Sequence, residues 1–132
     1  EAILGTDAEV RVLRDPTRGG VATTLNEFIE GTALGIELYE DKIPIRDQVR
    51  SACDMLGLDP LYCANEGKLL AVVAADDAER VLSSMRKTEE GRDAAIIGRV
   101  SAGYPGKLVM DTAFGGKRIL QKLTGAQLPR IC

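Results

Sequence analysis

Apolar residues at Val21, Leu25, Phe28 and Ile29 recur at helical spacing, with Thr17 ahead of them as a cap and Gly31 as a stop. A second run with the same period covers Ile45 to Leu56. Ile45, Val49, Ala52 and Leu56 form its expected buried face, and Gly57 supplies the stop. A third helix is expected after Asp76, read as its cap, with Ala78, Val81, Leu82 and Met85 turned inward. Other segments read as strands or extended chain. Val10 to Leu13 leads up to Pro16, and Ile36 to Leu38 precedes a turn around Asp41. Leu69 to Ala75 is a short, valine-rich apolar run, expected to be a buried central strand. Ala94–Val100 and Leu108–Met110 are expected to pair as a hairpin through Gly103-Tyr104-Pro105-Gly106. Gly115 and Gly116 then break the chain before a last short strand, Lys117 to Leu120.

Helices interleaved with strands indicate a mixed α/β (α+β) layered domain over residues 1–124, followed by a tail, 125–132, whose composition gives little reason to pack. At 132 residues the chain is long enough for one sizeable core. A net charge of −3 with scattered basic residues argues against nucleic-acid binding. No apolar run reaches the roughly 20 residues of a membrane-spanning helix. The 3 cysteines form an odd set without framework spacing, which fits a reducing cytoplasm better than a disulfide scaffold. The count of 0 histidines removes Ser-His and Cys-His nucleophile pairs and imidazole metal sites together.

Four places carry candidate chemistry. Cys132 is the last residue, after Pro129, Arg130 and Ile131, and so reads as a thiol on an arm. A thiolate is both a nucleophile and a carrier of acyl-type groups. A frayed end with an accidental cysteine is the plainer reading. A prenylation box is excluded, because the lipidated cysteine would stand fourth from the end. Thr17-Arg18-Gly19-Gly20 opens the first helix. Two glycines in a first turn each cost about 1 kcal/mol relative to alanine, so they need a reason. Either backbone N–H groups and Arg18 receive an anion, or the glycines let the helix pack closely. Glu66, in Asn65-Glu66-Gly67-Lys68, leads into the apolar run at Leu69. It is a base if partly desolvated there, and otherwise a solvated turn residue or a partner of Lys68. Cys53 and Cys63 read as small core residues, while Asp76-Asp77 and Glu89-Glu90 suggest a helix cap and a solvated turn rather than a metal pair.

The run from Arg14 to Glu27, Arg-Asp-Pro-Thr-Arg-Gly-Gly-Val-Ala-Thr-Thr-Leu-Asn-Glu, resembles the signature of the HypE-type hydrogenase maturation proteins, which end in Pro-Arg-Ile-Cys as here. Gly57-Leu58-Asp59-Pro60-Leu61-Tyr62 running into Asn65-Glu66-Gly67-Lys68 resembles the same family, so the likeness covers essentially the whole chain. It implies the C-terminal domain of a PurM-like, ATP-using protein, with an N-terminal ATP-binding half outside this chain. It implies carbamoyl dehydratase chemistry, in which an S-carboxamide on Cys132 becomes an S-cyanate that supplies cyanide to [NiFe]-hydrogenase iron. Glu66 is then the base that takes the amide proton. Asp15, Thr17, Arg18, Gly19 and Gly20 contact phosphate, and Pro129, Arg130 and Ile131 dock the tail. The implied cofactors are ATP and Mg, held mainly by the other half, so the segment alone is expected to be inactive. The implied partners are a HypF-type carbamoyltransferase, a HypC–HypD-type iron scaffold and a second copy of the full-length protein. Two alternatives stay open at this point. One is a different PurM-like synthetase, making selenophosphate or aminoimidazole ribonucleotide, which needs no terminal thiol; the other is a non-catalytic docking module.

Overall fold

The computed structural model describes residues 1–123. Nine regular elements follow in chain order: β1 (Val10–Arg14), α1 (Gly20–Ile29), β2 (Gly35–Tyr39), α2 (Asp47–Leu56), β3 (Leu70–Val73), α3 (Ala78–Met85), β4 (Gly98–Ser101), β5 (Leu108–Asp111) and β6 (Lys117–Leu120). Short 3-10 turns at Glu40–Lys42 and Pro60–Tyr62 flank α2, and the first stands where a turn around Asp41 is expected.

The larger sheet has the order β4-β2-β5-β6, with β2 antiparallel to β4 and parallel to β5, and β5 antiparallel to β6. Its register aligns Ile36, Leu108 and Leu120 in one row and Leu38 with Met110 in the next. Because side chains alternate along a strand, these rows share a face. That face packs on Ala22, Leu25 and Ile29 of α1 and on Leu61, making one core. Leu38, Leu108 and Leu120 are at most 1% exposed. Burial of each such side chain contributes about 1.5–3 kcal/mol. Asn26 ties helix to sheet, its side-chain amide donating to the Ala22 carbonyl at 2.8 Å and the Leu120 carbonyl at 3.0 Å.

The opposite face of this sheet carries an ion pair beside apolar residues, since Val109 and Ile119 stand in the same row as Glu37. Glu37 and Arg99 are cross-strand partners, and Ser101 donates to Glu37 Oε1 at 3.1 Å. The Arg99 guanidinium bonds both carboxylate oxygens and, as the largest influence, holds the Glu37 carboxyl below its ordinary range.

The second sheet is an antiparallel ribbon of β1 and β3, with Val12 opposite Val72 and Arg14 opposite Leu70. It is joined to the α3 region where the Ala74 N–H donates to the Glu9 carbonyl and the Glu9 N–H to the Asp77 carboxylate.

Four local expectations are corrected. β4 and β5 do not form a hairpin, because β2 lies between them. The Gly103–Gly106 stretch instead passes the start of β2, where the Gly106 N–H donates to Leu34 and the Ile36 N–H to Lys107. The true hairpin joins β5 and β6, closed by Thr112 and Gly116, each donating a backbone N–H to the other residue. The apolar run at Leu69 is no central strand. It forms half of a two-stranded ribbon, and Leu69 itself is 48% exposed. On α2 the buried residue is Cys53, while Ala52, Val49 and Leu56 lie exposed, so the helix meets the core along a narrower line than its period suggests. Neither expected cap acts through its side chain. Gly19 stands before α1 in place of Thr17, and a 3-10 turn at Ala75–Asp77 separates Asp76 from α3.

Candidate functional site

The chain enters α1 through a buried proline, Pro16, and two glycines with left-handed backbone, Gly19 at φ 76° and Gly20 at φ 63°. Any other residue in this conformation is strained. Space demands glycine as well: a Cβ on Gly19 would strike the Thr23 side chain, and one on Gly20 would lie 2.5 Å from the Leu61 carbonyl and 2.6 Å from that of Cys63. Packing therefore accounts for the glycine pair by itself. The Thr23 N–H is taken by the Gly19 carbonyl at 3.2 Å and the Gly20 N–H by Thr17, so among the described residues the first turn keeps the Val21 and Ala22 N–H groups as the raw material of an anion site. Thr17 contributes its carbonyl, which accepts from the Gly20 N–H at 3.2 Å, while Asp15 and Arg18 are exposed at the rim.

Asn65 brings the second candidate segment to this entrance. Its N–H donates to the Pro16 carbonyl at 3.2 Å and the Thr17 carbonyl at 3.3 Å. Glu66 is the next residue, so the structure gathers Glu66 and the 15–20 turn from opposite ends of a 51-residue separation in sequence (66 − 15). Glu66 is exposed, not desolvated at the mouth of a central strand as expected, and among the described residues it makes no ion pair with Lys68.

The segment between α2 and Asn65 is what holds this arrangement. Asp59 accepts from the Leu61 N–H at 2.9 Å, and Arg118 of β6 reaches the Asp59 carboxylate at 2.6 Å. The Tyr62 hydroxyl donates to the Gln121 carbonyl at 2.9 Å, and burial is the main cause pushing that hydroxyl above its ordinary range. The sulfur of Cys53, the buried residue of α2, lies 4.0 Å from that of Cys63. Neither this pairing nor the Glu37–Arg99 pair is expected from sequence, since both depend on tertiary register. The readable signal for Glu37 is a carboxylate alternating with Ile36 and Leu38 inside a strand.

Two further observations describe the surroundings. The Thr23 hydroxyl oxygen, just inside α1, is buried and has no hydrogen-bond partner among the described residues. A concavity of about 370 Å³ opens between α2 and β6, lined among others by Arg50, Asp54, Asp59 and Arg118. No predicted site residue lines it. Among the described residues no group of three or more His, Cys, Asp or Glu is placed to hold a metal ion, and no helix is long and apolar enough to cross a membrane. Pro129, Arg130, Ile131 and Cys132 lie outside the described residues.

Comparison with known proteins places this geometry. Carbamoyl dehydratase HypE of Azotobacter vinelandii is 53% identical over 131 residues, which are 99% of this chain and 38% of that protein. The chain thus spans under two fifths of the length of this curated relative. A crystal structure of hydrogenase maturation protein HypE superposes with TM-score 0.89 at 46% identity, covering 98% of this chain and 42% of that one. HypE in complex with ATP gives TM-score 0.85 at 47% identity, over 94% of this chain and 38% of that one. A HypE–HypF complex gives TM-score 0.85 at 42% identity, over 92% and 39%. The family model described as AIR synthase related protein, C-terminal domain, matches residues 1–111. With that match and the layered α/β architecture that carries it, this chain belongs to the AIR synthase related C-terminal domain family.

Proposed function

We propose that the chain is the C-terminal part of a carbamoyl dehydratase that works with ATP in hydrogenase maturation. Its substrate is an S-carboxamide carried on its own Cys132. The single observation supporting the site assignment is the Asn65 N–H bonded to the Pro16 and Thr17 carbonyls, which sets Glu66 beside the α1 entrance. The close similarity to carbamoyl dehydratase HypE supports the reaction.

The chemistry needs two things from these residues. An amide oxygen is a poor leaving group, so it is first phosphorylated. That step takes the γ-phosphoryl group of ATP, releases ADP and one N–H proton, and gives an iminophosphate. Loss of the remaining N–H proton then expels phosphate and forms the C≡N bond, leaving an S-cyanate. Glu66 takes that proton, and its exposure in this domain leaves it accessible to a substrate arriving on the tail. The first-turn N–H groups of α1 that the Thr17 and Gly19 carbonyls do not take, together with the Arg18 guanidinium, receive the phosphoryl charge, with Asp15 and Thr17 at the edge. These groups fit a phosphate but offer nothing shaped for an adenine. ATP and Mg are therefore held mainly by the N-terminal half of the whole protein. The segment alone hydrolyses no ATP.

The partners follow from the same reading. A HypF-type carbamoyltransferase loads Cys132, with Pro129, Arg130 and Ile131 docking the tail. A HypC–HypD-type iron scaffold accepts the cyanide, and the complete protein works as a homodimer in the cytoplasm. The experiment is intact-mass analysis of the complete protein with the carbamoyltransferase, carbamoyl phosphate and ATP, followed by peptide mapping. Addition of a carbamoyl group on Cys132 and then ATP-dependent loss of one water is the expected result. An unmodified Cys132 beside a demonstrably active transferase would overturn the proposal in favour of a docking role or another synthetase activity.

A further inference from the structure

The Cys53–Cys63 pair has no place in the proposed dehydration, yet it sits at a mechanically sensitive point. Cys53 is the buried residue of α2 and Cys63 ends the 60–63 turn, with the two sulfurs 4.0 Å apart. Both are free thiols. Cys63 is partly exposed and Cys53 is 6% exposed, so a reagent reaches Cys63 first. The Cys63 carbonyl lies against Gly20, and Asn65, two residues on, holds the Pro16–Thr17 backbone. Whatever fixes Cys63 therefore bears on both candidate segments.

We propose that Cys53 and Cys63 form an intramolecular disulfide on exposure to a low-molecular-weight disulfide such as oxidised glutathione, and that this bond fixes the turn beneath the α1 entrance. The exchange is balanced in two steps. Cys63 gives up its proton, and its thiolate attacks one sulfur of oxidised glutathione, releasing one glutathione thiolate and leaving a mixed disulfide. Cys53 then loses its proton and attacks the Cys63 sulfur, expelling the second glutathione. Two electrons pass from the pair to the reagent, and the two protons end on the two glutathione molecules. Burial, the first cause of the raised Cys63 thiol, slows the first step, whereas the neighbouring sulfur makes the second intramolecular and fast. Closure needs the sulfurs to approach from 4.0 Å to the disulfide length of about 2.05 Å. None of this depends on the reaction proposed for Cys132.

The test uses the chain as Cys132→Ser, so that of its 3 cysteines only the pair can react, titrated with oxidised glutathione at graded ratios to the reduced form, and peptide mapping assigns each product. The expected product has lost two hydrogens by intact mass, yields a Cys53–Cys63 linked peptide, and reverts with dithiothreitol. In the C132S/C53A chain the reaction is expected to stop at a glutathione adduct on Cys63. A stable glutathione adduct in the presence of Cys53, or two free thiols under strongly oxidising ratios, overturns the proposal. Amide hydrogen exchange reads the second half: slower exchange at residues 63–67 and at the start of α1 is expected on oxidation. A disulfide that leaves those amides unchanged refutes the coupling to the entrance.

Discussion

Glu37 and Arg99 face each other in register across β2 and β4, with Arg99 Nη2 3.2 Å from both carboxylate oxygens of a glutamate that is itself nearly buried. A charge in the middle strand of a sheet persists only when paired and hydrogen-bonded, and Ser101 completes the set.

This pair predicts a pH dependence. Arg99 lowers the folded-state pKa of Glu37 below its ordinary value of 4.5, so the pair's contribution is fully present above about pH 4.5 and is lost as pH falls through the folded value. Melting temperatures of the native chain and of Glu37→Gln, followed from pH 7 to pH 3, should differ at neutral pH and converge in acid. A gap that stays constant across that range would remove Glu37 as the source.

Gly20 predicts a contrast with Gly57. Both have positive φ, 63° and 65°, but a Cβ on Gly20 meets two carbonyls while one on Gly57 meets nothing within 4 Å. Gly57→Ala should cost only the conformational strain, about 1–2 kcal/mol in urea unfolding. Gly20→Ala should cost clearly more, because the Leu61–Cys63 backbone must also move. Equal losses would mean that the close approach carries no weight.

Thr23 predicts a neutral or stabilising change. Its hydroxyl oxygen is buried with no partner among the described residues, and such a group costs roughly 1–3 kcal/mol. Thr23→Val keeps the shape and removes the penalty, so unfolding free energy should hold or rise. A loss of more than about 1 kcal/mol would point to a partner the hydroxyl acquires in solution.

Glu66 predicts a separation of activity from stability. Because it is exposed, Glu66→Gln should leave the melting temperature unchanged. In the complete protein, removing a general base should slow dehydration by about 10²–10⁴-fold. Full turnover by the variant would rule Glu66 out as the base, and a lowered melting temperature would assign it a structural role instead.

Elements governed by local chemistry were legible in the sequence. The period through Val21, Leu25 and Ile29 gives α1, and the short segments at Ile36–Leu38 and, after Gly115 and Gly116, Lys117–Leu120 give β2 and β6. What failed was pairing. β4 and β5 are neighbours in sequence, but β5 pairs in parallel with a strand some 70 residues earlier (108 − 36 = 72), and no local pattern announces that. The apolar run at Leu70 signals hydrophobicity without saying how many neighbours it has, and in this sheet it has one. For the site, the motif residues of the α1 entrance and the Glu66 turn were readable. Their meeting through Asn65, and the approach of Cys53 to Cys63, come only from the folded path.

The insertion of β5 between β2 and β6 orders events in time. β2 is made long before its parallel neighbour, and one of its edges waits until Leu108–Asp111 exists. Leu108, Met110 and Leu120, three of the core residues, arrive in the final stretch of the described chain. Such distant pairing makes for slow closure. A nascent chain halted before Leu108 carries an open β2 edge and an unfilled core, the combination that invites aggregation. The domain thus closes its core only once β6 has been made, which leaves every shorter stretch of this chain without the Leu120 that covers the Ile36–Leu108 row.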